Sequence, residues 1–308
     1  MLRAPIRSIN SSRRCFTTAA VLTKDVKKAG VLGGGQMGLG IAIVIANIAK
    51  TPVTLVDASE HALTKGQSFM KKLLEKDVAK GRITQEQSDT TTGLINFSSN
   101  IDTGFDDVDF LIEAIPEIPS LKFDVFKRLA QQVPKTTVLA TNTSSIGITK
   151  IAHAAVGAED RVIGFHLMNP VPVMRGMEVI TGLQTSKETL ETALSFGQKM
   201  GKVVSRSQDS PGFLANRLLM PYLNEAIIAL ETGVGEATDI DNIMKNGCSM
   251  PMGPLALADF IGLDTCLSIM RVLYGETGDS KYRPAILLGK MVDAGWVGKK
   301  AGKGFYDY

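Results

Sequence analysis

The chain of 308 residues is short of cysteine, histidine and acidic charge at its start, and each shortage excludes something. Its three cysteines, Cys15, Cys248 and Cys266, are scattered, with no Cys-x-x-Cys pair and no histidine at ligand spacing. That pattern excludes a disulfide framework and argues against a zinc site, so free thiols in a reducing compartment and no metal are expected. No apolar run reaches the length of about 18 residues that a membrane span needs. The nearly continuous stretch Ile41–Ala49 reads as a buried helix. No internal repeat or low-complexity segment stands out. Hydrophobic residues at 44% and charged residues at 21% are the balance of a globular fold, and the length allows two domains.

No acid precedes Asp25, while Arg3, Arg7, Arg13 and Arg14 lie among serines and threonines. That composition marks a mitochondrial presequence, and Arg14-Cys15-Phe16-Thr17 looks like a matrix-protease site. Residues 1–25 are therefore read as a targeting segment, with the mitochondrial matrix as destination. A disordered basic tail or a chloroplast address are the alternatives. The formal net charge is +3; without those four arginines, 30 basic residues face 31 acidic ones, a net of −1. The body offers no overall charge for binding nucleic acid.

Ala29–Leu32 reads as a strand that runs into Gly33-Gly34-Gly35-Gln36-Met37-Gly38, then a helix over Leu39–Lys50, then the strand Val53–Asp57. Strand, glycine turn, helix and strand form a βαβ unit, which implies a parallel sheet. Glu60 to about Gly81 is a lysine-rich helix, and Thr84 with Gln87 predicts a capping box for a second one. Together they form a helix–turn–helix arm between strands. Further strands are expected at Ile95–Ser98, Val108–Ile115, Val138–Asn142, Arg161–Asn169 and Met177–Thr181. Helices are expected at Ser120–Val133, with Ser120 as cap, at Ile148–Ala155 and at Ser186–Met200. After Asp209-Ser210-Pro211-Gly212 only helices follow: Phe213–Thr232, Ala237–Asn246, Pro254–Leu273 and Pro284–Ala294. The expected architecture is a doubly wound, Rossmann-type α/β domain over 26–210 and an all-helical domain over 211–308.

The Gly33-x-Gly35-x-x-Gly38 spacing gains meaning from its place between strand and helix. Gly33 permits the tight turn, Gly35 lets a pyrophosphate approach the backbone, and Gly38 lets the helix sit close to the sheet. The free N–H groups of Gly34, Gln36 and Met37 belong to the same anion-binding turn. Asp57 ends the next strand, where a carboxylate accepts from ribose hydroxyls and repels a 2′-phosphate, so the cofactor expected is NAD. A turn or helix-cap role is the plainer reading of Asp57.

Of the three histidines, His61 and His153 sit in polar helical contexts, but His166 lies in an apolar strand ending at Asn169-Pro170. A satisfied core histidine is one reading. The other is a base: oxidising an alcohol with NAD releases a proton as well as a hydride, and a neutral imidazole suits that proton. Glu178, twelve residues on, is placed to orient the ring if the chain turns back beside itself.

His166-x-x-Asn169-Pro170-x(7)-Glu178 resembles the active-site segment of the 3-hydroxyacyl-CoA dehydrogenase family. Asp209-Ser-Pro-Gly-Phe213-Leu-Ala-Asn216-Arg217-x-x-x-Pro221 is similar to that family's domain-junction signature. Glu113-Ala114-Ile115, Thr141-Asn142-Thr143-Ser144-Ser145, Met252-Gly253-Pro254 and Gly298-Lys299-Lys300-x-Gly302-x-Gly304-Phe305-Tyr306 match as well, in order from about Val26 to Tyr308. The resemblance implies NAD-dependent oxidation of (S)-3-hydroxyacyl-CoA thioesters in fatty acid β-oxidation. It implies His166 as base, Glu178 as its partner, Ser144 and Asn216 as catalytic and substrate-orienting groups, and Glu113, Asn169 and Lys300 near the cofactor. It further implies that the arm holds coenzyme A, with Lys80 its best contact, and that the helical domain pairs two copies into a homodimer. Leu73 and Ile118 depart from the family pattern, which leaves the coenzyme A contacts open. Ser144 as a turn residue, Asn216 as a surface amide, and the lysines as solvated charges are the plainer readings.

Two other functions fit the scaffold. A β-hydroxyacid dehydrogenase needs a lysine on the first helix of its second domain, and Phe213-Leu-Ala-Asn216-Arg217 has none. A non-catalytic binding protein has no need of His166, Glu178, Ser144 and Asn216 together.

Overall fold

The computed structural model describes residues 24–308. The targeting segment therefore lies outside the described residues apart from Lys24 and Asp25, which pack on the fold. Lys24 Nζ is 3.1 Å from Asp109 Oδ1, and Asp25 Oδ1 is 3.2 Å from Lys199 Nζ.

Eight strands form one sheet: β1 (Ala29–Leu32), β2 (Val53–Val56), β3 (Ile95–Ser98), β4 (Phe110–Glu113), β5 (Val138–Thr141), β6 (Val162–Leu167), β7 (Gly176–Thr181) and β8 (Val203–Gln208). Their spatial order is β3-β2-β1-β4-β5-β6-β7-β8. Every neighbouring pair is parallel except β6 with β7. Chain order reverses between β1 and β4, and the crevice beyond the strand ends at such a reversal is where α/β sheets hold ligands. Five neighbouring strands, β2, β1, β4, β5 and β6, are buried at every residue, as strands inside a sheet covered on both faces must be.

Helices cover both faces. On one, α1 (Gln36–Asn47), α2 (Glu60–Ala79) and α6 (Lys187–Lys199) bring Ile41, Ile45, Met70, Leu74 and Phe196 onto the sheet. On the other, α4 (Pro119–Gln132) and α5 (Ile148–Ala154) contribute Phe126, Leu129 and Ile151. The arm is α2 with α3 (Gln85–Gly93), and the Thr84–Gln87 capping box forms as expected. Beyond β8 come α7 (Ala215–Glu231), α8 (Ala237–Asn246), α9 (Pro254–Ile261), α10 (Leu263–Thr277) and α11 (Ile286–Asp293), which share a third core around Met220, Leu267 and Tyr282.

Four expectations need correction. Strand β8 is not among the expected strands because only Ser207 along it is buried; an edge strand shows no apolar pattern. Ser120 does not cap α4: Pro119 opens that helix, its missing N–H costing nothing there, and Ile118 is the capping residue. The single helix over Pro254–Leu273 is two, broken at Gly262, whose φ of 103° no helix accommodates. Helix α1 begins at Gln36, inside the glycine turn, and ends at Asn47 instead of Lys50.

Candidate active site

The glycine turn leaves β1 at the reversal point, and its three spaced glycines do three different jobs. Gly33 has φ of +111°, and a Cβ there would lie 2.5 Å from the Ala114 carbonyl oxygen. A Cβ on Gly38 would fall 1.8 Å from the Gly33 carbonyl oxygen, so the helix start can close only on glycine. A Cβ on Gly35 meets nothing within 4 Å: here the missing side chain opens space outside the fold rather than inside it. No side chain caps the N-terminus of α1, and its first turn carries no acid, so Gln36 and Met37 present a bare, positive helix end. Asp57 closes the turn from β2, its Oδ2 accepting from Gly34 N at 2.7 Å and its Oδ1 from Ser59 N at 2.8 Å. It does the structural job of tying the turn, and each oxygen keeps a lone pair for a sugar hydroxyl. An open cradle, a bare helix end and a carboxylate beside it fit a dinucleotide.

His166 and Glu178 are register partners across the antiparallel pair β6–β7. Opposed residues of such a pair project to the same face, and His166 Nδ1 lies 2.9 Å from Glu178 Oε2. The residues are 7% and 3% exposed. Glu178 uses its other oxygen on the second domain: Oε1 accepts from Leu214 N at 2.7 Å and Ala215 N at 2.9 Å, where α7 begins. Burial pushes the Glu178 carboxyl up, but the bonds from His166 and the two amides outweigh it and hold it below the ordinary carboxylate range. A carboxylate only accepts, so Nδ1 carries the ring's proton and Nε2 keeps a lone pair. Phe213 stacks edge-on to the imidazole at 6.0 Å between centroids, from a backbone with φ of 50°.

Asn216, directly after Ala215, donates from Nδ2 to the Ser144 carbonyl oxygen at 3.3 Å. His166, Glu178, Ala215, Asn216 and Ser144 thus form one chain of contacts across the domain junction, and the four residues expected to act together are brought together. Ser144 itself is held by an acid that no sequence motif singles out, Glu117. Glu117 Oε1 accepts from Thr143 Oγ1 at 2.5 Å, Ser144 N at 2.8 Å and Ser145 N at 3.1 Å, with the two serine hydroxyls at 3.3 and 3.0 Å. Burial raises the Glu117 carboxyl, yet the Lys122 ammonium 3.2 Å away and these donors hold it low.

Glu113 is the correction here. It is fully buried, and its oxygens are taken by Lys122 Nζ at 2.6 Å, Ile115 N at 2.7 Å and Thr141 Oγ1 at 2.7 Å. It cannot touch a cofactor; it anchors Lys122, itself 1% exposed, which in turn faces Glu117. The signal for Glu117 is its position four residues past the buried strand acid, on the loop beyond the strand's end.

Asn169 Oδ1 accepts from Gln36 Nε2 at 3.2 Å, which sets it against the glycine turn. Lys300 pairs with Asp264 at 2.7 Å. Asp264 lines a cleft of about 270 Å³ between α10 and the loop carrying Ser144 and Ser145, together with Glu117, Thr265 and Ser268. Lys80 is the C-cap of α2, exposed, out on the arm. His61 and His153 are exposed. Among the described residues no cluster of His, Cys, Asp and Glu is set to hold a metal ion. Cys248 is exposed and Cys266 buried, its thiol pushed up by burial to about 12, so it offers no nucleophile. No described helix is long and apolar enough to cross a membrane.

Known proteins resemble this chain in sequence and fold. Residues 28–210 match the family model described as 3-hydroxyacyl-CoA dehydrogenase, NAD binding domain, and residues 212–308 match 3-hydroxyacyl-CoA dehydrogenase, C-terminal domain. A probable 3-hydroxybutyryl-CoA dehydrogenase of Bacillus subtilis is 48% identical over 284 residues, 92% of this chain and 98% of that protein. The human mitochondrial hydroxyacyl-coenzyme A dehydrogenase is 39% identical over 310 residues, 98% of this chain and 97% of its own. The crystal structure of (S)-3-hydroxybutyryl-CoA dehydrogenase from Ralstonia eutropha superposes with a TM-score of 0.89 at 41% identity, covering 92% of this chain and 99% of that one.

Proposed function

The chain belongs to the 3-hydroxyacyl-CoA dehydrogenase family, and from that premise we propose how its residues divide the work. It is an NAD-dependent oxidoreductase that interconverts (S)-3-hydroxyacyl-CoA and 3-ketoacyl-CoA. NAD, when bound, supplies the acceptor for the hydride leaving C3. The residues of the chain handle the proton. His166 takes it from the 3-hydroxyl at Nε2, the nitrogen that Glu178 leaves free, and returns it to the ketone oxygen in the reverse direction. Glu178 fixes the tautomer and stabilises the imidazolium as it forms. Ser144 and Asn216 orient the reacting group from either side of the domain junction. The glycine turn with Asp57 holds the dinucleotide, and Asn169 and Lys300 approach it from the hairpin and the helical domain. The observation that carries this reading is the 2.9 Å His166–Glu178 contact, formed where both domains meet.

The acyl group rides on coenzyme A, and the exposed lysines of the arm, Lys80 among them, suit its phosphates. Fatty acid β-oxidation is the setting, and the mitochondrial matrix the location. The acid-free, arginine-bearing first residues support that address, as does the alignment with the human mitochondrial enzyme over 98% of the chain. The helical domain pairs two copies; Leu218 and Phe260, exposed on α7 and α9, are part of the apolar surface that supports a homodimer. Oxidation of NADH by acetoacetyl-CoA, set beside free acetoacetate, tests the substrate class. Turnover of the thioester alone is expected; turnover of the free acid alone would move the chain to another class of hydroxyacid dehydrogenase.

A further inference from the structure

Lys202, just before β8, is a buried ammonium with no role in the reaction described above. It is 9% exposed. Its Nζ donates to the Val171 carbonyl at 2.6 Å and to the Met174 carbonyl at 2.8 Å. Among the described residues no carboxylate pairs with it, and burial pulls its pKa below the usual lysine range. Burying an unpaired ammonium is costly. What it holds is the turn that links His166 on β6 to Glu178 on β7.

That turn has few means of holding itself. Pro170 and Pro172 have no N–H, and the Pro170 carbonyl takes both the Val173 and Met174 amides. The Val171 and Met174 carbonyls go to Lys202. From the other side the turn rests on the cofactor helix: Val171 is buried, and a Cβ on Gly40 of α1 would come 3.1 Å from the Val171 Cβ and 3.5 Å from Pro172 Cδ. At the turn's start, Asn169 meets Gln36 of the glycine turn. The excursion is therefore fixed at Asn169, on the α1 side at Val171, and on the sheet-edge side by Lys202 beside the Val203 N–Arg175 O bond of 2.8 Å.

We propose that Lys202 is a positioning residue: by clamping the 170–174 turn between β8 and α1, it sets Asn169 against the glycine turn and so aligns the cofactor with the His166–Glu178 pair. It touches neither cofactor nor substrate. Lysine is suited because charge-assisted bonds to two carbonyls survive burial, whereas a methionine of similar reach leaves both carbonyls unpaired. The His166–Glu178 contact is fixed by strand register and does not depend on the clamp. The inference rests on the dehydrogenase reading, and wild-type turnover of NAD with (S)-3-hydroxybutyryl-CoA tests that reading separately.

The experiment is steady-state kinetics on Lys202→Met, Lys202→Arg and Val171→Ala, with thermal unfolding as a control for folding. For Lys202→Met the KM for NAD is expected to rise roughly tenfold and kcat to fall several-fold, with the KM for the acyl-CoA within twofold of wild type. Lys202→Arg, which keeps two donors and the charge, is expected to recover most of both. Val171→Ala frees the turn on its α1 side and is expected to raise the KM for NAD about threefold; it decides the matter if Lys202→Met does not fold. A lower unfolding temperature with unchanged NAD kinetics in the variants that fold would make Lys202 a purely structural lysine and overturn the proposal. So would a rise in the two KM values by equal factors. Absence of turnover in the wild type would count instead against the dehydrogenase reading.

Discussion

Glu178 serves His166 with one carboxylate oxygen and the first amides of α7 with the other, so the orientation of the imidazole and the docking of the second domain share a single side chain. Glu178→Gln keeps the shape but can offer one acceptor oxygen where two are needed. Turnover is expected to fall by roughly 10²–10⁴, with NADH binding retained, as checked by steady-state kinetics and fluorescence titration.

The same residue predicts an acid-sensitive stability. A carboxyl held below its unfolded value contributes stability that is present above about pH 4.3 and is lost as pH falls through the depressed folded value. Glu117 behaves in the same direction. Unfolding temperatures between pH 6 and pH 3 should therefore drop less steeply in Glu178→Gln than in the wild type. Parallel curves would mean that the carboxylate gives the native state no such advantage.

Gly35→Ala and Gly38→Ala separate binding from folding within one turn. The Gly35 position faces open space, so its alanine variant should keep an unfolding temperature close to wild type yet bind NADH at least about tenfold more weakly. The Gly38 variant places a methyl on the Gly33 carbonyl and should lose stability as well. Calorimetry beside NADH titration distinguishes them; a Gly35 variant with native affinity would place the pyrophosphate elsewhere.

Most of the scaffold was legible because its signals are local. The glycine turn, the capping box at Thr84 and the apolar runs of β1, β4 and β5 each follow from residues a few positions apart. Strand β8 was not legible because an exposed edge strand is specified by its partner, β7, rather than by its own residues. Glu113 and Glu117 show the same limit inside the site. Two acids four residues apart look alike in sequence; only the strand end at Glu113 decides that one is sealed under Lys122 while the other reaches Ser144.

The sealed pair makes its own prediction. Lys122→Met strips Glu113 of its countercharge inside the fold, and breaking a buried pair in this way costs about 3–5 kcal/mol. Removing both charges with Glu113→Gln added should recover part of that loss. Denaturant unfolding of the two variants measures it, and additive losses would mean that the residues do not act as a pair.

Asp57→Ala should narrow the preference for NAD over NADP, since the carboxylate proposed to meet the ribose and repel a 2′-phosphate is gone. Some loss of NAD affinity should accompany it, because Gly34 N loses its acceptor. The ratio of kcat/KM for the two cofactors is the measure; an unchanged ratio would confine Asp57 to tying the turn.

Proton transfer at the free nitrogen of His166 is the central proposed step. The decisive measurement is single-turnover oxidation of (S)-3-hydroxybutyryl-CoA by His166→Ala, with NADH affinity determined on the same preparation. The expected result is a rate lower by roughly 10²–10⁴ with cofactor affinity unchanged. A variant that binds NADH normally and oxidises the alcohol at the wild-type rate would contradict it.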